Sequence, residues 1–321
     1  MKDKIRKIIM IVCIAVFVVS TAGIIVYFAF HNAGKQEYKE LADMAGLSDL
    51  SQLQPPTVQT DAPDAEDDEK TTQTPAQPEN PEQTDAPEDE TAPSDEKENE
   101  REYVEFLESS VALLASDPIA EALSQTTFAA LKEKNADVIG WIYMPGTEIN
   151  YPIMQAKDND YYLYYTFDRL WNSSVGAIYM DYRNNAAFED FHTIIYGHNL
   201  TGGTMFSDLN KFLTQEEYWK THRSLYIATI GGKVYRYDVY AACEADVTGH
   251  TYRLGLTEDS GKQAYINYCL KQSAIDFGVV PRVDQQVLTL STCTGHGHHS
   301  RCVVQAVLAM EFVESEEDLD R

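Results

Sequence analysis

Thr289-Leu290-Ser291-Thr292-Cys293 closes an apolar, β-type run over 286–293, after which the chain enters a loop rich in Gly and His. Side chains alternate along a strand, so Thr289, Ser291 and Cys293 share one face while Leu288, Leu290 and Thr292 share the other. A cysteine so placed is set like a nucleophile at a strand edge. Beyond the loop, Arg301 opens another β-type run over 301–313. If Arg301 faces the side of Cys293, Cys302 faces away and reads as a small buried hydrophobe. About a hundred residues earlier, Tyr196-Gly197-His198-Asn199 ends a further apolar run. Singly, such a cysteine is more often core, such a histidine more often part of a turn and such an arginine more often a surface charge. Together, each at a strand end, they point to thiol acyl transfer.

A thiol is a weak nucleophile until it ionises; an ordinary cysteine has a pKa of about 8.5, leaving little thiolate at neutral pH. His198 is the candidate base or ion-pair partner for Cys293, and the candidate acid for a departing amine. Attack on an amide leaves a thioester that water or an amine resolves. Arg301 never deprotonates in practice. Its charge favours a thiolate, and it is the candidate for holding a substrate carbonyl or developing oxyanion. Ser291 and Thr292 place hydroxyls beside the nucleophile, and backbone N–H groups after Cys293 are further oxyanion donors. The chemistry calls for no cofactor and no metal.

The chain has 321 residues and a net charge of −26. Phosphate binding needs clustered Lys and Arg, so this balance argues against nucleic acid. Residues 61–100 hold sixteen Asp/Glu against two Lys. Together with the aromatic-free, Pro-rich composition over 54–100, that predicts a disordered, extended segment. At the other extreme, Lys2, Lys4, Arg6 and Lys7 precede an uncharged run from Ile8 to Phe30, whose 23 residues reach roughly 34 Å as a helix. A signal-peptide core is about 7–15 residues long, so the run reads as a single-pass anchor; a cleaved signal peptide, with Thr21-Ala22-Gly23 near its end, is the alternative. The basic end stays in the cytoplasm and the remainder lies outside. The expected organisation is a cytoplasmic segment 1–7, an anchor 8–30, an acidic Pro-rich spacer 31–101 and a catalytic domain 102–321. Residues 31–53 have weak helical periodicity, as an extension of the anchor. The cysteines Cys13, Cys243, Cys269, Cys293 and Cys302 are too sparse for a disulfide framework; Cys243–Cys269 is the one bridge left open.

After Glu102, Val104, Phe106, Leu107, Val111, Leu113 and Leu114 fall at helical spacing, and 122–131 continues as a second helix beyond Pro118. Strands are predicted over 138–143, 149–154, 176–182, 193–196, 234–242, 286–293 and 301–313, with helical patches at 158–166, 205–222 and 258–273. Many short strands with few helices between them predict a closed barrel carrying helices on its outside.

The chain resembles sortases, class B in particular, over about 102–313. The segments that carry the resemblance are Asn135-Ala136-Asp137-Val138-Ile139-Gly140-Trp141-Ile142, Gly146-Thr147-Glu148-Ile149-Asn150-Tyr151-Pro152-Ile153, Asp158-Asn159, Gly176-Ala177-Ile178-Tyr179-Met180-Asp181, Thr193-Ile194-Ile195-Tyr196-Gly197-His198-Asn199, Met205-Phe206, Thr289-Leu290-Ser291-Thr292-Cys293 and Arg301-Cys302-Val303-Val304. The helices ahead of the barrel and at 258–273 are similar to class B rather than class A. The resemblance implies an eight-stranded barrel and a Cys-His-Arg transpeptidase. In it Cys293 forms the acyl-enzyme, His198 is acid and base, and Arg301 holds the oxyanion. Ser291, Thr292 and Asn159 stand where substrate contacts are expected. It also implies a substrate that is a secreted protein with a C-terminal sorting motif, often cut after Thr, and an amine acceptor from peptidoglycan or a pilin.

The loop Thr294-Gly295-His296-Gly297-His298-His299-Ser300 is unusual in its histidines. Solvated loop histidines are the plain reading. A Zn²⁺ site with Cys293 and Cys302, or histidines that tune the thiolate near pH 6–7, are the others. Two alternatives to a transpeptidase remain open: a hydrolytic cysteine protease with the same residues, and an extracellular metal-binding module in which Cys293 is structural.

Overall fold

The computed structural model describes residues 2–53, 117–171, 175–200, 202–295 and 299–313. The acidic segment from 54 onward, the helix expected over 104–114, and His296 and His298 lie outside the described residues.

Eight strands close into a barrel in the order β1-β2-β3-β4-β7-β8-β6-β5. They are β1 Val138–Tyr143, β2 Asn150–Met154, β3 Ile178–Met180, β4 His192–Tyr196, β5 Ser224–Thr229, β6 Lys233–Asp246, β7 Val287–Cys293 and β8 Ser300–Val313. The β2/β3 and β4/β7 pairs are parallel and the others antiparallel. Seven strands stand where the sequence predicts them, and β5 was not foreseen. Its residues Leu225–Thr229 are all buried, so the polar–apolar alternation that marks a half-buried strand is missing.

The single helix expected over 122–131 is two: α2 Pro118–Ser124 and α3 Phe128–Lys134. Asp117 caps α2, its carboxylate accepting from the N–H groups of Ile119 and Ala120, with Pro118 at the first position. Between the helices, the hydroxyls of Ser124 and Thr126 donate to the carbonyls of Glu121 and Leu123. Such local bonds compete with the helical ladder and end it there.

The first helix, α1 Lys2–Ala45, runs through the uncharged segment and on to the barrel. Tyr38, Leu41, Ala42 and Ala45 form a stripe at i, i+3, i+4 and i+7 that is buried, followed by buried Leu47 and Leu50. Tyr143 donates its hydroxyl to the Leu50 carbonyl and Asn150 its amide to that of Leu47. Residues 34–53, which composition groups with the spacer, therefore pack as part of the barrel unit. Among the described residues, most of the large exposed apolar side chains lie between Met10 and Phe28. Among the described residues, however, no helix is long and apolar enough to cross a membrane, so the anchor expected over 8–30 is unsupported there. That span includes Ile8, Ile9, Tyr27 and Phe30, whose side chains lie outside the described set.

Alternation along β7 and β8 divides the barrel interior from its outer face. Leu288, Leu290, Cys302, Val304 and Ala306 join the main core. Val287 and Val307 pack instead with Tyr265 and Cys269 of the long helix Asp259–Gln272, and Val303 packs with Cys243 under Tyr252. The connection between β6 and β7 thus covers the outer face of β7 and β8. Beneath it His192 is fully buried. Its Nδ1 donates to the Arg253 carbonyl at 2.8 Å, while Nε2 lies 2.7 Å from the Thr289 hydroxyl and 2.9 Å from that of Tyr265.

Burial lowers the His192 pKa to about 4, against the pull of the Arg253 carbonyl and of Asp181 and Asp190. The unfolded chain binds this proton below about pH 6.5, the folded one only near 4, so stability falls as the pH drops through that window. The loss is at most about 3 kcal/mol from a shift of this size. Urea midpoints measured from pH 7 to pH 4 should decline, and His192→Gln should flatten the decline. A variant as acid-sensitive as the wild type would remove His192 as the cause.

Candidate active site

The strand register assembles the site. In the parallel β4/β7 pair, His192, Ile194 and Tyr196 lie opposite Val287, Thr289 and Ser291. In the antiparallel β7/β8 pair, Ser291 and Cys293 lie opposite Val303 and Arg301. Two residues beyond Tyr196, His198 comes level with Cys293. His198, Cys293 and Arg301 thus form one row across three neighbouring strand ends, on the face away from the barrel interior. Tyr196, Ser291 and Val303 form the row beneath. His198, Cys293 and Arg301 line a common cavity of about 320 Å³, with Tyr252, Leu163 and Val247 among its other walls.

His198 Nε2 is 2.7 Å from the carbonyl oxygen of Leu163. That oxygen only accepts, so Nε2 carries the proton and Nδ1 is the ring atom left to exchange one. Burial lowers the pKa of His198; the Leu163 carbonyl opposes the shift and the Arg301 charge adds to it. The net fall favours the neutral imidazole, the form able to take a proton. Gly197 is the condition for this placement. A Cβ there would lie 2.8 Å from the Phe206 ring and collide with the Ile178 methyl. Gly197→Ala is expected to cost roughly 1–3 kcal/mol of stability by overpacking and to lower activity more than stability alone explains, because His198 moves. Thermal melting and turnover measured on one preparation separate the two effects; a variant as active as the wild type would show that His198 does not depend on this contact.

Cys293 is partly exposed, and its carbonyl accepts from the side-chain amides of Asn199 at 2.9 Å and Asn210 at 3.3 Å. Those two bonds hold the end of β7 against the segment that follows His198. Across the ladder, Arg301 donates from Nη1 to the Ser300 carbonyl at 3.0 Å.

The expected substrate contacts divide. Ser291 borders the cavity, but is buried with its hydroxyl 2.9 Å from that of Tyr252. Asn159 also borders it, and its amide is occupied on both sides: Nδ2 donates to Asp181 at 2.9 Å, and Oδ1 accepts from the Tyr182 N–H at 3.0 Å. Thr292 borders the cavity as well, but is buried on the strand face that looks into the barrel, with no hydrogen-bond partner for its hydroxyl among the described residues. Alternation set it on the face opposite Cys293, and the structure keeps it there.

Asp181 anchors this wall. Its buried carboxylate accepts from Arg183 Nε and Nη2, both at 2.8 Å, and from Tyr196 at 3.0 Å, as well as from Asn159. Burial alone would raise its pKa; the bonds from Arg183, Asn159 and Tyr196 overcome that and leave it at about 2.

Cys302 is fully buried, its thiol pushed up to about 12 by burial and set 3.3 Å from the Leu209 carbonyl. Cys243 and Cys269 are free, so the bridge left open by the sequence does not form. Among the described residues no cluster of three or more His, Cys, Asp or Glu is placed to hold a metal. The sequence does not point to Leu163, Asn210 or Tyr252. A carbonyl carries no residue-type signal, and the other two reach the site only through tertiary packing.

Residues 142–309 match the family model described as Sortase domain. The chain is 33% identical over 180 residues to Sortase B of Listeria monocytogenes, spanning 72% of it and 56% of this chain. It is 32% identical over 198 residues to Sortase B of Staphylococcus aureus, spanning 79% of it and 62% of this chain. The crystal structure of Staphylococcus aureus Sortase B superposes with a TM-score of 0.54 at 30% identity, over 98% of that chain and 65% of this one. With its eight-stranded barrel and these relatives, the chain belongs to the sortase family of cysteine transpeptidases, in class B.

Proposed function

We propose that the protein is a membrane-anchored sortase that cleaves a C-terminal sorting motif of secreted proteins through a Cys293 thioester, then transfers the acyl group to an amine of peptidoglycan or of a pilin subunit. The observation that carries the reading is the single row of His198, Cys293 and Arg301 at one cavity. His198 Nδ1 takes the thiol proton, and the Cys293 sulfur attacks the scissile carbonyl. Arg301 stabilises the oxyanion of the tetrahedral intermediate. The imidazolium returns its proton to the departing amine as the C–N bond breaks, leaving the thioester. The acceptor amine then attacks, gives its proton to His198, and releases the acyl product and Cys293. The half-buried nucleophile and the neutral base suit this sequence.

The anchor is supported by the uncharged run Ile8–Phe30 behind four basic residues, and by the exposure of its described apolar side chains. With the basic end inside, the catalytic domain lies outside the cell. The test is incubation of the full-length chain with a panel of sorting-motif peptides, with and without an amine nucleophile, trapping the thioester with hydroxylamine. A Cys293-dependent hydroxamate and an amine-dependent ligation product are expected. Cleavage indifferent to added amine would point to a hydrolase, and no Cys293-dependent product would overturn the reading.

A further inference from the structure

Two backbone segments hold His198, one at its imidazole and one at its main chain. On one side, the Leu163 carbonyl accepts from Nε2. The same wall includes Gly176, in the left-handed region at φ +53, where an added Cβ would lie 2.7 and 2.9 Å from the carbonyls of Tyr162 and Leu163 and 3.0 Å from His198 Cδ2. Gly176 therefore packs against both the ring and the carbonyl that orients it. On the other side, the His198 carbonyl accepts from the Phe206 N–H at 2.9 Å, and Asn199 and Met205 form an isolated bridge. Met205 itself is in the left-handed region, at φ +57.

One side chain from α1 reaches both segments. The hydroxyl of Tyr38, buried, donates to the Gly176 carbonyl at 2.6 Å. The Tyr38 ring stands edge-to-face on Tyr151 at 5.3 Å, and the Tyr151 hydroxyl accepts from the Met205 N–H at 3.0 Å. Neighbouring residues of α1 reinforce the grip. Glu37 accepts from the Asp168 N–H at 2.9 Å, and Lys35 donates to the Gly202 carbonyl at 3.2 Å. A hydroxyl at this position matters more than its worth to stability suggests. Without it the Gly176 carbonyl is left buried without that donor, and the loop that ends at Gly176 gains freedom where the ring leans on it.

We propose that Tyr38 is a positioning residue for the reaction, fixing from the N-terminal helix the segment that holds the His198 imidazole and the segment that holds its main chain. This rests on the reading of His198 as acid and base. The helix that carries the uncharged N-terminal run thus also takes part in setting the geometry of the active site. Tyr38 does not touch the reacting atoms; it acts through Gly176 and through Tyr151.

The test uses the full-length chain and Tyr38→Phe, which keeps the ring on Tyr151 and removes the bond to Gly176. One neutral hydrogen bond corresponds to a fall in kcat of roughly three- to tenfold, with KM for the peptide unchanged. The second readout is the NMR titration of the His198 ring, assigned by comparison with His198→Gln. His198 faces Arg301 and Cys293 in the cavity, and both are unchanged in the variant. Loosening the Leu163 bond, which favours the charged ring, should move the titration to lower pH. Wild-type kcat with an unmoved titration overturns the proposal, and so does an activity loss that tracks the melting temperature while the titration stays put. If Tyr38→Phe is too unstable to assay, Tyr151→Phe, which removes the acceptor for Met205, is read in the same two ways. A shifted titration in a chain without transpeptidase activity would leave the positioning role standing and refute the functional reading alone.

Discussion

Replacing Cys293 with alanine is expected to abolish the trapped thioester and to lower kcat/KM for motif cleavage by on the order of 10⁴-fold or more, as loss of a covalent nucleophile does. The informative control is Cys302→Ala. The two cysteines lie opposite neighbouring residues of one ladder, Cys293 facing Arg301 and Cys302 facing Thr292. Alternation puts one in the cavity and the other in the core. Burial that pushes the Cys302 thiol up to about 12 leaves no reactive thiolate at pH 7. Cys302→Ala should keep its thioester and lose only the packing of one sulfur, about 1 kcal/mol for a small buried group. Equal losses from both variants would contradict the assignment, as would a thioester that survives Cys293→Ala. Mass spectrometry of the peptide-treated chain after acid quench reads both outcomes directly.

Removing residues 1–53 is the second large effect. The last turns of α1 and the segment after it bury Leu41, Leu47 and Leu50 together with Tyr38, each exposed by 5% or less. At about 1.5–3 kcal/mol for each large side chain taken out of water, the docked segment contributes on the order of 8 kcal/mol, comparable with the whole stability of a typical domain. Deletion also strips the hydroxyl of Tyr143 and the amide of Asn150 of their partners. A fragment starting at residue 102 should therefore aggregate or melt far below a fragment starting at residue 32. Urea titration of both fragments measures the difference, and coincident midpoints would show that the barrel does not depend on α1.

That second result marks where reading the sequence stops. The stripe Tyr38, Leu41, Ala42 and Ala45 is helical in spacing, but it spans few residues between a strongly apolar run and a strongly acidic one. Composition assigns it to its neighbours. Only the barrel supplies the groove that it fills, and that groove comes from residues more than ninety positions away, such as Tyr143 and Asn150. The same holds for β5, whose residues are buried on both faces and so lack alternation, and for the break between α2 and α3, where Ser124 and Thr126 outbid the helix ladder. Strands β1, β7 and β8 are also largely buried, yet they were legible nearly to their ends as apolar, β-branched runs beside turn residues.

The site divides in the same way. Chain order and strand-end placement single out Cys293, His198 and Arg301, because side-chain alternation is a local property that sequence carries directly. Alternation also separates Cys302 from Cys293 and turns Thr292 inward. What only the tertiary structure decided is which groups hold those three. The Leu163 carbonyl on His198, the amides of Asn199 and Asn210 on Cys293, the engagement of Ser291 by Tyr252 and of Asn159 by Asp181, and the grip of Tyr38 on Gly176 are contacts between distant segments. Their partners meet because the barrel closes and its loops pack, and backbone carbonyls and packed rings leave no mark in the local pattern of residues.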